Sequence, residues 1–137
     1  RRVLFRSWRD GRLKQFVTAS FLRLRQQHSA LFHYGDWVPL KVAGERADNF
    51  IAYARIKDEE ALIVVVPRLV FDVAAHGLVE SSAQLWGETA VSLPEDLAGR
   101  RYCDALTGES RLVEETLDLA SATGWLLTLI SEKERGE

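Results

Sequence analysis

A chain of 137 residues, 47% hydrophobic and 28% charged, has the size and balance of one globular domain with an appendage, and it holds no apolar run long enough to span a bilayer. Its one cysteine, Cys103, excludes an internal disulfide and a thiolate zinc cluster, and reads as a small buried hydrophobe. Net charge is only −2, but residues 1–35 carry eight basic side chains against the single acid Asp10, a net +7 that leaves −9 for the remainder.

A basic head on an acidic body suits an anionic partner, or an attraction between head and body or between head and a neighbouring domain. The second reading is favoured. RNA modules interleave stacking aromatics and base-reading side chains with their arginines, and this head does not, so no nucleic-acid partner is expected. The first residues also lack the apolar core of a secretory signal, which makes the cytoplasm the expected compartment and a membrane partner unexpected.

Between Gly11 and Phe32 the apolar residues Leu13, Phe16, Val17, Phe21, Leu24, Leu31 and Phe32 recur mostly at steps of three and four, with Arg12, Arg23, Arg25 and Gln26 between them. That period predicts one long amphipathic helix of about six turns. Asp10 is placed to cap its start and Gly35 to stop it. About seven large apolar side chains at roughly 1.5 kcal/mol each would leave on the order of 10 kcal/mol of unburied surface on an isolated helix, so it must dock on something.

Past Gly35 the pattern changes to short β-rich runs: 37–42, 50–56, 62–66, 90–93, 101–105, 110–117 and 125–130. Phe50-Ile-Ala-Tyr-Ala-Arg-Ile alternates, whereas Leu62-Ile-Val-Val-Val reads as a strand buried on both faces. Turn chemistry separates the runs at Gly44-Glu-Arg-Ala-Asp-Asn, Lys57-Asp-Glu-Glu, Thr107-Gly-Glu and Ala122-Thr-Gly. A short helical excursion is expected near Asp72-Val-Ala-Ala-His, and a frayed tail from Ser131. The fold class is therefore mainly β, an antiparallel sandwich of about seven strands preceded by one long amphipathic helix, with the boundary between residues 1–34 and 35–137.

Catalytic chemistry finds little to use in these residues. Glu59-Glu60 and Glu114-Glu115 are adjacent pairs, and neighbouring side chains on a strand point to opposite faces, so they make poor acid/base pairs and read as solvated turns or edges. His28, His33 and His76 are too scattered for a metal site. Ser81 and Ser82 lack the nucleophile elbow, and the nine glycines form no phosphate loop. No cofactor and no metal are expected. Carbohydrate contact needs flat aromatic faces, for which Trp8, Tyr34, Trp37, Trp86 and Trp125 are the inventory. Trp125 reads as core, while Trp37 and Trp86 border turns and are the candidates.

Several motifs in one order carry a resemblance: Trp8-Arg-Asp-Gly-Arg-Leu-Lys-Gln-Phe-Val-Thr, Leu22-Arg-Leu-Arg, Leu31-Phe, Gly35-Asp-Trp-Val-Pro-Leu, Gly44-Glu-Arg-Ala-Asp, Val66-Pro-Arg-Leu, Trp86-Gly-Glu-Thr and Leu106-Thr-Gly-Glu. Over nearly its whole length the chain resembles the C-terminal part of malto-oligosyltrehalose synthases, of the α-amylase superfamily (glycoside hydrolase family 13). The resemblance implies a catalytic barrel followed by a β-sandwich, with the helix as the last barrel helix or its extension. It also implies an enzyme that converts the reducing-end α-1,4 bond of a maltodextrin into an α,α-1,1 bond by intramolecular transglucosylation.

The family's nucleophile, acid/base and third acidic residue have no matching positions in this sequence, so the chain alone is expected to be inactive. By the same resemblance Arg12 and Lys14 sit at the barrel's edge, with an ion-pair role at the junction favoured over substrate contact. The expected partners are the catalytic barrel, a malto-oligosaccharide as the parent's substrate, and a second copy of the chain through the helix. A maltodextrin-binding module is the competing reading; exposed, co-planar Trp37 and Trp86 would favour it.

Overall fold

The computed structural model describes residues 11–69, 87–119 and 127–133. Asp10, Trp8, the excursion near Asp72, His76, Ser81, Ser82, Trp86, the Ala122 turn and Trp125 lie outside the described residues. Among the described residues two α-helices, α1 (Arg12–Gln27) and α2 (Ser29–Tyr34), precede nine strands: β1 (Asp36–Pro39), β2 (Lys41–Ala43), β3 (Phe50–Lys57), β4 (Glu60–Pro67), β5 (Ala90–Ser92), β6 (Arg100–Asp104), β7 (Ser110–Val113), β8 (Thr116–Asp118) and β9 (Leu127–Ser131). They form a six-stranded sheet in the order β1-β3-β4-β9-β6-β7 and a three-stranded sheet in the order β2-β5-β8, with every pairing antiparallel.

The helical run expected from the period is present, with one interruption. At His28 the backbone leaves the helical region (φ −117°, ψ 41°), although hydrogen bonds from His28 N–H to Leu24 O and from Phe32 N–H to His28 O carry the i to i−4 pattern past it. Gly11 precedes the first helical residue at φ 80°, a left-handed backbone that glycine adopts at little cost. Gly35 does end the second helix, but in extended conformation (φ −69°, ψ 145°) rather than in the left-handed cap. Glycine is required there for space, because a Cβ would collide with the Leu31 carbonyl oxygen.

Two of the expected strands are each two strands. The run 37–42 divides at Pro39-Leu40 into β1 of the large sheet and β2 of the small one, and 110–117 divides at Glu114-Glu115 into β7 and β8 in the same way. Such corners, where one extended segment leaves one sheet and joins the other, are how a sandwich closes. Hydrogen bonds bracket both: Leu40 N–H donates to Ala52 O, and Leu93 N–H donates to Glu115 O. Periodicity registers an extended backbone, and a corner barely interrupts it.

The main core lies between the sheets. Phe50, Ala52, Ala54, Ala61, Ile63, Val65, Tyr102, Val113, Leu127 and Leu129 of the large sheet meet Leu40, Val91, Leu93, Leu97, Leu117 and Leu119. On the other face of the large sheet a second, smaller core joins Leu24 of α1 and Leu31 of α2 to Leu62 and Ile130, with half-buried Phe32, Val64 and Cys103 around them. The alternation of β3 and β4 decides which residue serves which core. Odd positions of β4 from Ala61 to Val65 face the small sheet, and Leu62 and Val64 face the helices. A strand apolar on both faces is thus accommodated in an antiparallel sheet because the helices roof it.

Candidate functional site

The motifs that carry the resemblance converge on turns. Gly44, at φ 120°, lies so close to Glu88 and Thr89 that a Cβ would collide with the Glu88 carbonyl oxygen. Arg46 N–H donates to Thr89 Oγ1 at 3.1 Å. Asn49 Nδ2 donates to the carbonyls of Arg68 and Leu69, at 3.3 and 3.1 Å, and Arg68 N–H returns a bond to Asn49 O at 2.7 Å. Segments 44–49, 67–69 and 87–89 are therefore one hydrogen-bonded joint. In Leu106-Thr-Gly-Glu the organiser is the residue before it but one: buried Asp104, whose Oδ1 accepts from Leu106 N–H at 2.8 Å and Thr107 N–H at 3.0 Å, shaping the β6–β7 hairpin.

The paired carboxylates Glu59-Glu60 and Glu114-Glu115 have structural partners or sit in turns and corners. Glu60 Oε1 lies 3.4 Å from His28 Nδ1 and 3.8 Å from Lys133 Nζ, tying the helix break and the end of β9 to the start of β4. Glu59 is exposed in the two-residue β3–β4 turn, and Glu114 and Glu115 are exposed at the β7–β8 corner. Among the described residues no cluster of three potential metal ligands occurs. His33 is exposed beside Tyr34, their rings 6.1 Å apart. Cys103 is half-buried in the helix-side core, and burial, reinforced by the charges of Glu132 and Asp104, raises its thiol pKa. Arg25 uses its charge locally, its guanidinium 6.0 Å from the Phe32 ring centre.

Of the carbohydrate-contact candidates, Trp37 is exposed (59%) on edge strand β1, and Trp86 lies outside the described residues. Arg12 and Lys14 are exposed in the first turn of α1. That turn is roughly 20 Å along the helix from its end at Gln27, by the rise of an α-helix, so these cations and Trp37 stand at opposite ends of the helical segment.

The companion of Trp37 is Tyr53. Its ring centre lies 5.8 Å from that of the indole, the planes inclined by 32°. Tyr53 escaped the aromatic inventory, although the alternation Phe50-Ile-Ala-Tyr-Ala-Arg-Ile already sets it, with Arg55, on the face opposite Phe50, Ala52 and Ala54. Arg55 pairs in register with Trp37 and reaches across to the end of α2, where its Nη2 donates to Phe32 O at 3.0 Å and Gly35 O at 2.8 Å. One guanidinium thus satisfies the terminal carbonyls of the helix and fixes the entry to β1.

A scan against protein-family models and a search of curated proteins find no match. Solved structures do match. The maltooligosyltrehalose synthase from Arthrobacter ramosus aligns over 89% of this chain at 26% identity with a TM-score of 0.64, and a mutant of that enzyme aligns over the same share at 25% and 0.65. An Anoxybacillus α-amylase aligns over 90% of this chain at 16% identity and a TM-score of 0.51, a likeness of fold alone. This chain spans 14% of the length of the synthase structures and 23% of the amylase. In the order of its motifs and in its fold, the chain resembles the C-terminal portion of malto-oligosyltrehalose synthases.

Proposed function

We propose that this chain is the C-terminal, non-catalytic portion of a malto-oligosyltrehalose synthase-like enzyme, and that it packs on and stabilises the catalytic barrel. The observation that carries the reading is the 26% identity to the Arthrobacter ramosus synthase over 89% of this chain and only 14% of that one. Retaining transglucosylation needs a nucleophile and an acid/base carboxyl about 5 to 5.5 Å apart, held on barrel strand ends. Here Asp104 and Glu60 serve a hairpin and an ion-pair cluster instead. The reacting carboxylates then belong to the rest of the parent, and the transfer of the freed glucose onto its own chain end takes place there.

The helix offers the contact surface. Leu24 and Leu31 are committed to the sheet, whereas Leu13, Phe16, Val17 and Phe21 are half-buried and Leu22 is exposed (61%). This N-terminal half of the stripe faces the barrel, with Arg12 and Lys14 as ion-pair partners at its rim. Incubated with maltohexaose, the chain alone is expected to give no trehalose-ended product and no glucose. Fused in place of the matched segment of the Arthrobacter ramosus synthase, it is expected to give higher thermal stability and turnover than the enzyme truncated of that segment. Product formed by the chain alone, or a fusion no more stable than the truncation, would overturn the reading.

A further inference from the structure

We infer that Trp37 and Tyr53 form a surface platform for the glucosyl rings of an α-1,4-glucan. The choice of α-glucan rests on the reading of the parent as a maltodextrin enzyme; the platform itself rests on geometry. Tryptophan is a residue that folding normally covers, yet Trp37 keeps 59% of its surface in solvent on an edge strand, against a half-buried tyrosine. Tyr34, 78% exposed, stands three residues upstream where the chain enters β1. An indole and a phenol ring present flat apolar faces to the C–H face of a sugar and a hydroxyl to its rim.

The backbone that carries the two rings is held in place before any ligand arrives. The β1–β3 register holds residues 36–39 against 53–56, and Gly35 N–H donates to Leu31 O at 3.0 Å. Arg55 clamps the carbonyls of Phe32 and Gly35 just ahead of Trp37. Little backbone freedom remains to be lost on binding. The size of the patch also selects its occupant. Even fully exposed, two aromatic side chains would offer only roughly 150–250 Å² each, well short of the ~800 Å² per partner of a stable protein interface and of the scale of one or two sugar rings. The rings are inclined to one another by 32°, so they do not make the single flat surface that an extended β-1,4 chain would lie along.

The test is titration of the full chain with maltoheptaose, followed by the indole N–H resonances of its four tryptophans, with cellohexaose as the flat-chain control. The Trp37 resonance is expected to shift saturably with maltoheptaose and several-fold more weakly with cellohexaose. Trp37→Ala and Tyr53→Ala should each weaken maltoheptaose binding at least about tenfold while the circular dichroism spectrum stays native, and Leu112→Ala, on the opposite edge strand, should not. No shift of Trp37 at the solubility limit, equal binding of the two glucans, or undiminished binding by folded Trp37→Ala would overturn the inference. A fusion enzyme that works beside a chain that binds no glucan would remove the platform and leave the proposed function standing. Glucan binding beside a failed fusion would do the reverse.

Discussion

Tyr102 shows how one buried polar group couples the core to pH. Its ring is fully buried between the sheets and its hydroxyl donates to Leu97 O at 2.8 Å. Burial pushes the phenol up from 10.0 to about 12, with Arg100 opposing and Asp96 adding to the shift. Below the unfolded value both states keep the proton and the contribution is constant. Between there and the folded value the unfolded tyrosine releases its proton while the folded one retains it, so stability falls as pH rises through about 12. Tyr102→Phe, which loses about 1 kcal/mol of hydrogen bonding at neutral pH, should therefore close the gap to wild type as pH climbs from 10 in urea unfolding. A gap independent of pH would remove Tyr102 as the titrating group. Residues also mark where the sequence was silent. Tyr53 and Arg55 stood on a legible face, but nothing in the chain said that Arg55 would reach a helix end twenty residues earlier, because that meeting depends on the packing of α2.

At the scale of elements, the helix, the β3–β4 hairpin and the doubly buried β4 were legible because each has a period or a turn of its own. The corners at Pro39-Leu40 and Glu114-Glu115 were not, since the change from one sheet to the other leaves the local backbone extended. The joint around Gly44 is the clearest case of an element held by space. Gly44→Ala faces both a positive φ and the Glu88 backbone, and is expected to cost roughly 2–4 kcal/mol, seen as a lower urea midpoint at unchanged slope. Gly99 separates the two effects: it has φ 71° but nothing within 4 Å of an added Cβ, so Gly99→Ala should cost only about 1–2 kcal/mol. Equal losses at the two positions would show that the close approach at Gly44 relaxes freely.

For the whole molecule, the change from helix to strand at Gly35 does not coincide with a gap in packing. Leu24 and Leu31 lie before it and their partners Leu62 and Ile130 lie far beyond it, while His28 reaches Glu60 across the same line. A chain begun at Gly35 would expose that face of the large sheet, and it is expected to self-associate in sedimentation at concentrations where the full chain does so less or not at all. Equal behaviour of the two would mean that the helices do not cover the sheet in solution. None of the described helices is long and apolar enough to cross a membrane.

The strand order has a consequence in time. β9, at residues 127–131, lies in the middle of the large sheet between β4 and β6. During synthesis, then, the sheet cannot zip from one end as its strands emerge; a slot one strand wide stays open until residue 131 has left the ribosome. One wall of that slot is β4, with Leu62, Ile63 and Val65 among the most apolar residues of the chain. Until β9 arrives, an unsealed apolar edge is available to any other extended segment, and residues 127–131 decide whether the nascent sheet closes on itself or on a neighbour.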